Sequence, residues 1–332
     1  MNKIKIGQYG LGHNHGEEKM KSFRRFPELF EFIGICEPDP EWLKKRGALP
    51  GYEGLPVLSE KEFFDAAPDA VLVETDVPDL DKAALKCLEH GCHIHMDKPG
   101  GEDIEEFTKV MNTAREKNLV VQMGYMYRYN PVIQEAIAIA KSGKLGQIFE
   151  IDTQMSTAHG VPYRKWLSDS FKSGTMYIFA CHLLDMIFQV LGPNPDAVVP
   201  FLKKTLPQDV ALEDNGLAVV TYPNASCTVR CSSREVNGFG RRQLVICGTE
   251  GTVEVKPLEG PSLLSVSYSK DNPPTYHDTK QYLTGFKTQV GRYDEQDKDF
   301  AAYIHGEKEN PFTYDYEIAL QRATLQACGI LK

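Results

Sequence analysis

From Ile4 the chain runs through a short apolar strand into Gly7-Gln8-Tyr9-Gly10-Leu11-Gly12-His13-Asn14-His15-Gly16, and then into a helical pattern. This succession of strand, glycine turn and helix restricts the fold more than any other feature. It is the opening of a parallel sheet, and it leaves bare backbone amides at a helix N-terminus facing whatever anionic group approaches. Gly10 and Gly12 occupy the first two places of G-x-G-x-x-G, whereas the third holds His15, with Gly16 one step late. Taken alone, the turn fits a plain strand-to-helix connection as well, since glycine is common there.

The rest of the first 123 residues keeps the same alternation. Strands are expected at 4–9, 32–36, 70–74, 93–96 and 120–123, and helices at 17–26, 61–66, 80–90 and 104–117, the last capped by Asp103. After Tyr125 the texture changes. A helix over 131–142 is followed by strand-like runs at 147–154, 216–222, 226–232, 243–247, 252–256 and 263–268. Between them lies a strongly apolar helix over 175–191, with His182 and Asp185 on one face. A charged segment (294–305) and a closing helix (316–331) complete the chain. The class is therefore α/β: a Rossmann-type parallel sheet over 1–123, then an α+β domain over 124–332 with a large, mainly antiparallel open sheet. The closing helix is expected to pack back on the first domain.

Composition narrows the partners. Asp and Glu outnumber Lys and Arg 46 to 37, for a formal charge of −9, which argues against the broad phosphate-binding surface of a nucleic-acid protein. Eight cysteines are scattered without a CxxC pair, pointing to a reducing cytoplasm. The longest apolar run, 177–191, is interrupted by His182, Asp185 and Gln189 and falls short of the roughly 20 residues of a membrane span, so no membrane partner is expected. The opening residues show no signal-type core.

Two further residues give the turn a chemical reading. The second strand ends in Cys36-Glu37-Pro38-Asp39, which places a carboxylate where the ribose hydroxyls of a dinucleotide belong. Glu37 selects NAD over NADP, because it would repel a 2′-phosphate. Lys98, in Asp97-Lys98-Pro99 directly after the fourth strand, stands beside the same crevice, where a lysine can act in proton transfer. The pairs His13/His15 and His93/His95 invite a metal reading. Neither has a recognisable third ligand, so no metal is expected, and His13 and His15 are read as lining the cofactor turn with Leu11 and Asn14.

At this point the chain resembles the glucose–fructose oxidoreductase, inositol dehydrogenase and rhizopine-catabolism family (Gfo/Idh/MocA). The resemblance rests on the Ile6–Gly12 turn; Val71-Leu72-Val73-Glu74-Thr75 with Pro78; His90-Gly91-Cys92-His93 leading into Asp97-Lys98-Pro99; and Tyr127-Arg128-Tyr129-Asn130-Pro131. Further along it rests on Ser142-Gly143-Lys144-Leu145-Gly146; Arg164-Lys165-Trp166 before Ser173-Gly174; His182-Leu183-Leu184-Asp185; and Gly248-Thr249-Glu250-Gly251. It implies an N-terminal Rossmann domain binding NAD(P), with Thr75, Pro78, Asp97 and Trp166 joining the cofactor contacts. It also implies a C-terminal sheet that builds the substrate pocket and an oligomer interface, as a homodimer or homotetramer, and hydride transfer at a sugar, polyol or cyclitol carbon.

The family's catalytic groups are a lysine, matching Lys98, and an Asp-x-Gly-x-His pattern whose histidine matches His182. Counting back from His182, Ala180 stands at the glycine and Ile178 at the aspartate, so that aspartate is absent here. His182 can still serve as acid/base group, with Asp185 one turn away as an orienting partner; the other reading of His182 is a buried structural histidine. Tyr127, Arg128, His159, Tyr163 and Asp185 are the expected substrate contacts, two of them in a polar loop over 157–164. Three functions follow: an NAD-dependent dehydrogenase, a redox-neutral glycoside-processing enzyme that oxidises its sugar transiently, and a nucleotide-sensing protein without turnover. The retained lysine argues against the third.

Overall fold

The computed structural model describes every residue except 1, 173, 207, 273–278 and 290. Ser173 of the motif above therefore lies outside the described residues. The chain forms two compact units, Met1–Met126 with Gly291–Gln321, and Tyr127–Val290 with Arg322–Lys332.

In the first unit, β1 (Ile4–Tyr9), β2 (Phe30–Cys36), β3 (Ala70–Val73), β4 (His93–Met96) and β5 (Val121–Met123) form an all-parallel sheet in the order β2-β1-β3-β4-β5. All four residues of β3 are buried, the unbroken apolar run expected of a central strand covered on both faces. The order reverses between β1 and β3. Ligands of open parallel sheets bind outside the C-terminal strand ends at such a reversal, and here the glycine turn leaves β1.

The helix Asp294–Ile304, read from sequence as part of the second domain, belongs to the first unit. Its Phe300 and Ala301 join the core of Ile4, Ile6, Phe23 and Leu72. Gln296 accepts through its backbone from Gln122 Nε2 (2.9 Å) and donates through its side chain to Met123 O (3.1 Å). The closing helix begins at Tyr314, two residues earlier than expected, and Tyr314 OH bonds Leu119 O at 2.9 Å. A short helix, Pro40–Arg46, lies in a stretch to which the sequence reading gave no element; Asp39 caps it by accepting from Glu41 N–H, and Pro40 sits in its first turn.

The second unit is an eight-stranded sheet: β6 (Ile148–Ser156), β7 (Ala197–Lys203), β8 (Asn215–Tyr222), β9 (Ala225–Ser232), β10 (Gln243–Gly248), β11 (Gly251–Lys256), β12 (Ser262–Tyr268) and β13 (Tyr282–Phe286). Its order is β13-β12-β11-β10-β6-β9-β8-β7, antiparallel except for the parallel pair β6 and β9. One face, with Ala218, Val220, Cys227, Val229 and Cys231, is buried. Against β6, β8 and β9 packs the helix Gly174–Leu191, the one helix among the described residues long and apolar enough to cross a membrane, and 83% of it is buried inside the protein. The opposite face leaves Val199, Phe201, Leu263 and Leu283 exposed.

Candidate active site

The glycine turn is held from both sides. Gly10 N–H donates to Cys36 O (2.8 Å) and His13 N–H to Glu74 O (2.9 Å), tying the turn to the ends of β2 and β3. These bonds bring the backbones so close that side chains are excluded. Gly10 has φ +89°, and a Cβ there would meet Thr75 N at 2.5 Å; a Cβ on Gly12 would meet Asp76 N at 2.4 Å.

Glu37 stands beside this cradle. One carboxylate oxygen accepts from Leu11 N–H (2.5 Å) and the other from Asp39 N–H (2.8 Å). Burial pushes its carboxyl up, and the two amide bonds oppose the rise. Glu37, Trp42, Thr75, Asp79 and Lys82 line one open pocket; Pro78 lies in the single 3₁₀ turn Val77–Asp79, which precedes the helix Leu80–Glu89. Arg46, which the motifs did not single out, donates to Leu11 O (3.2 Å) and to His13 O. Asn14 is exposed at the tip. A cradle that a Cβ would fill, next to a carboxylate at the end of β2, suits a dinucleotide's pyrophosphate and ribose.

Lys98 follows β4 and is 6% exposed. Its backbone is fixed: Lys98 N–H donates to Asp97 Oδ1 (2.7 Å), Gly101 N–H to the Asp81 carboxylate (2.9 and 3.0 Å), and Gln321 Nε2 to Gly100 O (3.0 Å) and Gly101 O (2.7 Å). Next to it, the place of the missing third glycine is explained. The His15 ring occupies it and reaches Asp97 Oδ2 at 3.2 Å, while His13 Nδ1 lies 3.5 Å from the same oxygen. Burial lowers the His13 imidazole to about 3 despite Asp97, and it lowers His15 too. Burial also works against the charge on Asp97, but His13, His15 and Lys19 outweigh it and hold that carboxyl well below the usual range. The third group that the sequence did not supply to the His13/His15 pair is thus Asp97, from a strand end 82 residues away. His93 and His95 bond locally, His93 Nδ1 accepting from Val120 N–H (2.8 Å) and His95 Nδ1 meeting Gln122 Oε1 (2.8 Å).

In the second unit, the His182 ring lies 5.1 Å from that of Tyr127, centroid to centroid, and is 1% exposed. Tyr127 OH donates to Glu259 (2.5 Å), which also takes a bond from Arg242 (2.6 Å), and Arg242 reaches Thr157 Oγ1 at 2.7 Å. Asp185 grips Arg128 through Nε and Nη2 (3.0, 3.1 and 2.8 Å) and accepts from Gln189 Nε2 (3.0 Å). Both members of this ion pair are 1% exposed at their side chains, so each satisfies the other's buried charge. Ile178, at the aspartate's place, is buried among the apolar residues of the same helix.

The polar loop of the sequence reading is only half a loop. Val161–Ser170 is a helix, started by Pro162 in its first turn, and it carries Tyr163, Arg164 and Trp166. The rings of His159 and Tyr163 are 4.1 Å apart and those of Tyr163 and Trp166 5.2 Å. Arg164 donates to His159 O (2.7 Å). Buried His159 Nδ1 has no hydrogen-bond partner, and burial, followed by the charges of Arg242 and Arg164, lowers that imidazole to about 4. It is therefore a neutral ring at physiological pH. Arg242 and Glu259 belong to no short motif, and only the folded sheet reveals them.

The parallel sheet with its glycine cradle and pinned lysine defines an oxidoreductase of the dinucleotide-binding class. The chain belongs to the Gfo/Idh/MocA family: residues 4–125 match the model of the oxidoreductase family with an NAD-binding Rossmann fold, and residues 133–254 match the Gfo/Idh/MocA C-terminal domain. It is 24% identical over 232 residues to scyllo-inositol 2-dehydrogenase (NAD(+)) of Bacillus subtilis (strain 168), covering 68% of this chain and 66% of that protein. It is 23% identical to levoglucosan dehydrogenase of Pseudarthrobacter phenanthrenivorans, covering 71% and 67%. Among solved structures, a levoglucosan dehydrogenase in complex with NADH and levoglucosan superposes with a TM-score of 0.79 at 18% identity, covering 99% and 98% of the two chains. Aldose-aldose oxidoreductase from Caulobacter crescentus gives 0.80 at 17%, with the same coverage.

Proposed function

We propose that this chain is an NAD-dependent dehydrogenase acting on a hydroxyl-bearing carbon of a sugar, polyol or cyclitol. The observation that carries the reading is the pairing, at the sheet reversal, of a cradle too tight for any Cβ with a buried lysine fixed at the neighbouring strand end. When bound, NAD supplies the hydride acceptor. Lys98 takes the hydroxyl proton as the C–H bond is broken, and His182 is the second acid/base group. Tyr127, His159 and Tyr163 are assigned to the substrate; Arg128 and Asp185 support the same pocket through their ion pair. The relatives named for scyllo-inositol and levoglucosan support this substrate class. A full-chain assay against polyols, cyclitols and sugars tests it: NAD reduction with members of that class is expected, and NAD reduction with none of them overturns it.

A second reading is favoured by Ile178, which stands where the family's aspartate is absent: a redox-neutral glycoside-processing enzyme with tightly held NAD. It predicts release of an aglycone without net NAD reduction, so assaying both products separates the two.

NAD is expected to bind more tightly than NADP, because Glu37 offers a carboxylate to ribose hydroxyls and would repel a phosphate. Calorimetric titration checks this, and equal or tighter NADP binding contradicts it. In Glu37→Ala the preference should shrink by about tenfold, the size of one lost charge-assisted hydrogen bond; an unchanged preference would assign it to another group.

A second copy is proposed to cover the sheet face that leaves Val199, Phe201, Leu263 and Leu283 exposed, as a homodimer or homotetramer. Light scattering should show an oligomer at micromolar concentration and a lower mass for Phe201→Asp. A monomeric mass for the unaltered protein refutes the interface. The scattering of eight cysteines without a CxxC pair supports the reading of a reducing cytoplasm.

A further inference from the structure

The cluster around the glycine turn contains more ionisable groups than a dinucleotide turn requires. His13, His15 and Asp97 each bring one ligand atom into a group whose members all lie within 4.8 Å of one another. A fourth group adjoins them. Glu74, at the end of β3, is fully buried, neither of its carboxylate oxygens has a hydrogen-bond partner, and its Oε2 lies 3.5 Å from His13 Nδ1. A buried carboxyl with no hydrogen bond has lost its hydration without compensation.

From these positions we infer that His13, His15 and Asp97 form a binding site for a divalent transition-metal ion of the zinc type, with the buried Glu74 carboxyl standing against His13. The spacing matches. Tetrahedral zinc with bonds of about 2.0–2.2 Å has ligand atoms about 3.3–3.6 Å apart. Among the three ligand atoms, His15 Nδ1 lies 3.2 Å and His13 Nδ1 3.5 Å from Asp97 Oδ2, and all lie within 4.8 Å of one another.

The ligand chemistry agrees. The donors are two imidazole nitrogens and one carboxylate oxygen, the kind zinc takes, and a bound ion would replace the 3.2 Å bond that His13 Nδ1 accepts from His15 N–H. The nearby cation, Lys19, is occupied separately, donating to Gln296 Oε1 at 2.8 Å with its Nζ over the Tyr293 ring at 4.1 Å.

Two imidazoles with one carboxylate suit zinc or cobalt better than calcium or magnesium. His15, partly exposed, is the side open for entry. With three protein ligands the site keeps one open position, and the ion would fasten the glycine turn to the end of β4.

The site does not depend on the dehydrogenase assignment, and its test reads metal rather than turnover. Chelator-treated full-length protein is titrated with Zn²⁺ by calorimetry, and Co²⁺ is added separately for its visible spectrum. One ion per chain is expected, with the intense d–d bands of tetrahedral cobalt and a rise in the melting temperature on adding zinc. His15→Gln and Asp97→Asn should each weaken zinc binding at least about a hundredfold, since loss of a ligand exceeds the 10- to 100-fold loss of an outer partner. If Asp97→Asn does not fold, the partly exposed His15→Gln decides alone. No zinc binding by the unaltered protein, equal binding by His15→Gln, or a cobalt spectrum with a thiolate charge-transfer band would each overturn the proposal.

Discussion

Lys98→Met is expected to lower turnover by at least about a hundredfold, the lower end for a lost acid/base group, while the fold and NAD binding persist. Methionine keeps the length and apolar stem of lysine in a site only 6% exposed. The bonds that fix the segment are made by main chain, from Lys98 N–H to Asp97 and from Gln321 to Gly100 and Gly101, and they survive the exchange. Loss of kcat without loss of NAD affinity therefore isolates the ammonium group. Near-normal turnover on a confirmed substrate would make Lys98 a charge beside the cofactor and nothing more.

The second large effect concerns the vacant aspartate place. Ile178 exchanges no proton and accepts no hydrogen bond, so under the proposed function the hydroxyl proton falls to Lys98 and His182, or to a recruited Tyr163 or Asp185. Asp185 is a poor recruit, because Arg128 and Gln189 already take its oxygens. His182→Ala should lose about a hundredfold or more in turnover, as for a lost acid/base group. Ile178→Asp should not improve the enzyme, because it buries a new carboxylate among apolar neighbours of Gly174–Leu191. Its melting temperature should fall with its activity. An unchanged rate in His182→Ala would make His182 structural.

Much of the first unit was legible because each strand of a buried parallel sheet is a short apolar run, and the helices between carry their own caps. The Asp103 cap before Ile104–Lys117 is one example, accepting from Glu105 N–H and Glu106 N–H. What escaped depends on contacts distant in sequence. Lys19 finds Gln296 across 277 residues, so nothing local marks Asp294–Ile304 as part of the first unit. Strand β7 was missed because Pro200 lies within it, which an edge strand tolerates and a central one does not.

Two omissions had a visible signal. Pro40 after Asp39, and Pro162 after Gly160-Val161, both announce a helix start; the first stretch was given no element and the second was read as a loop. The site divides likewise: Gly10, Gly12, Glu37 and Lys98 stand at strand ends that the pattern locates. Glu74 and Asp97 become partners of His13 only when β3 and β4 are laid beside β1.

The central claim is that this chain couples oxidation of a carbinol carbon to NAD. The most direct measurement is the near-ultraviolet absorbance of reduced nicotinamide when the full-length protein is given NAD and each member of a polyol, cyclitol and sugar panel, with Lys98→Met in parallel. The account predicts that absorbance rises with at least one member of the panel for the unaltered protein and that the rise is lost in Lys98→Met. A protein that binds no NAD, or a rise that persists undiminished in Lys98→Met, would contradict it.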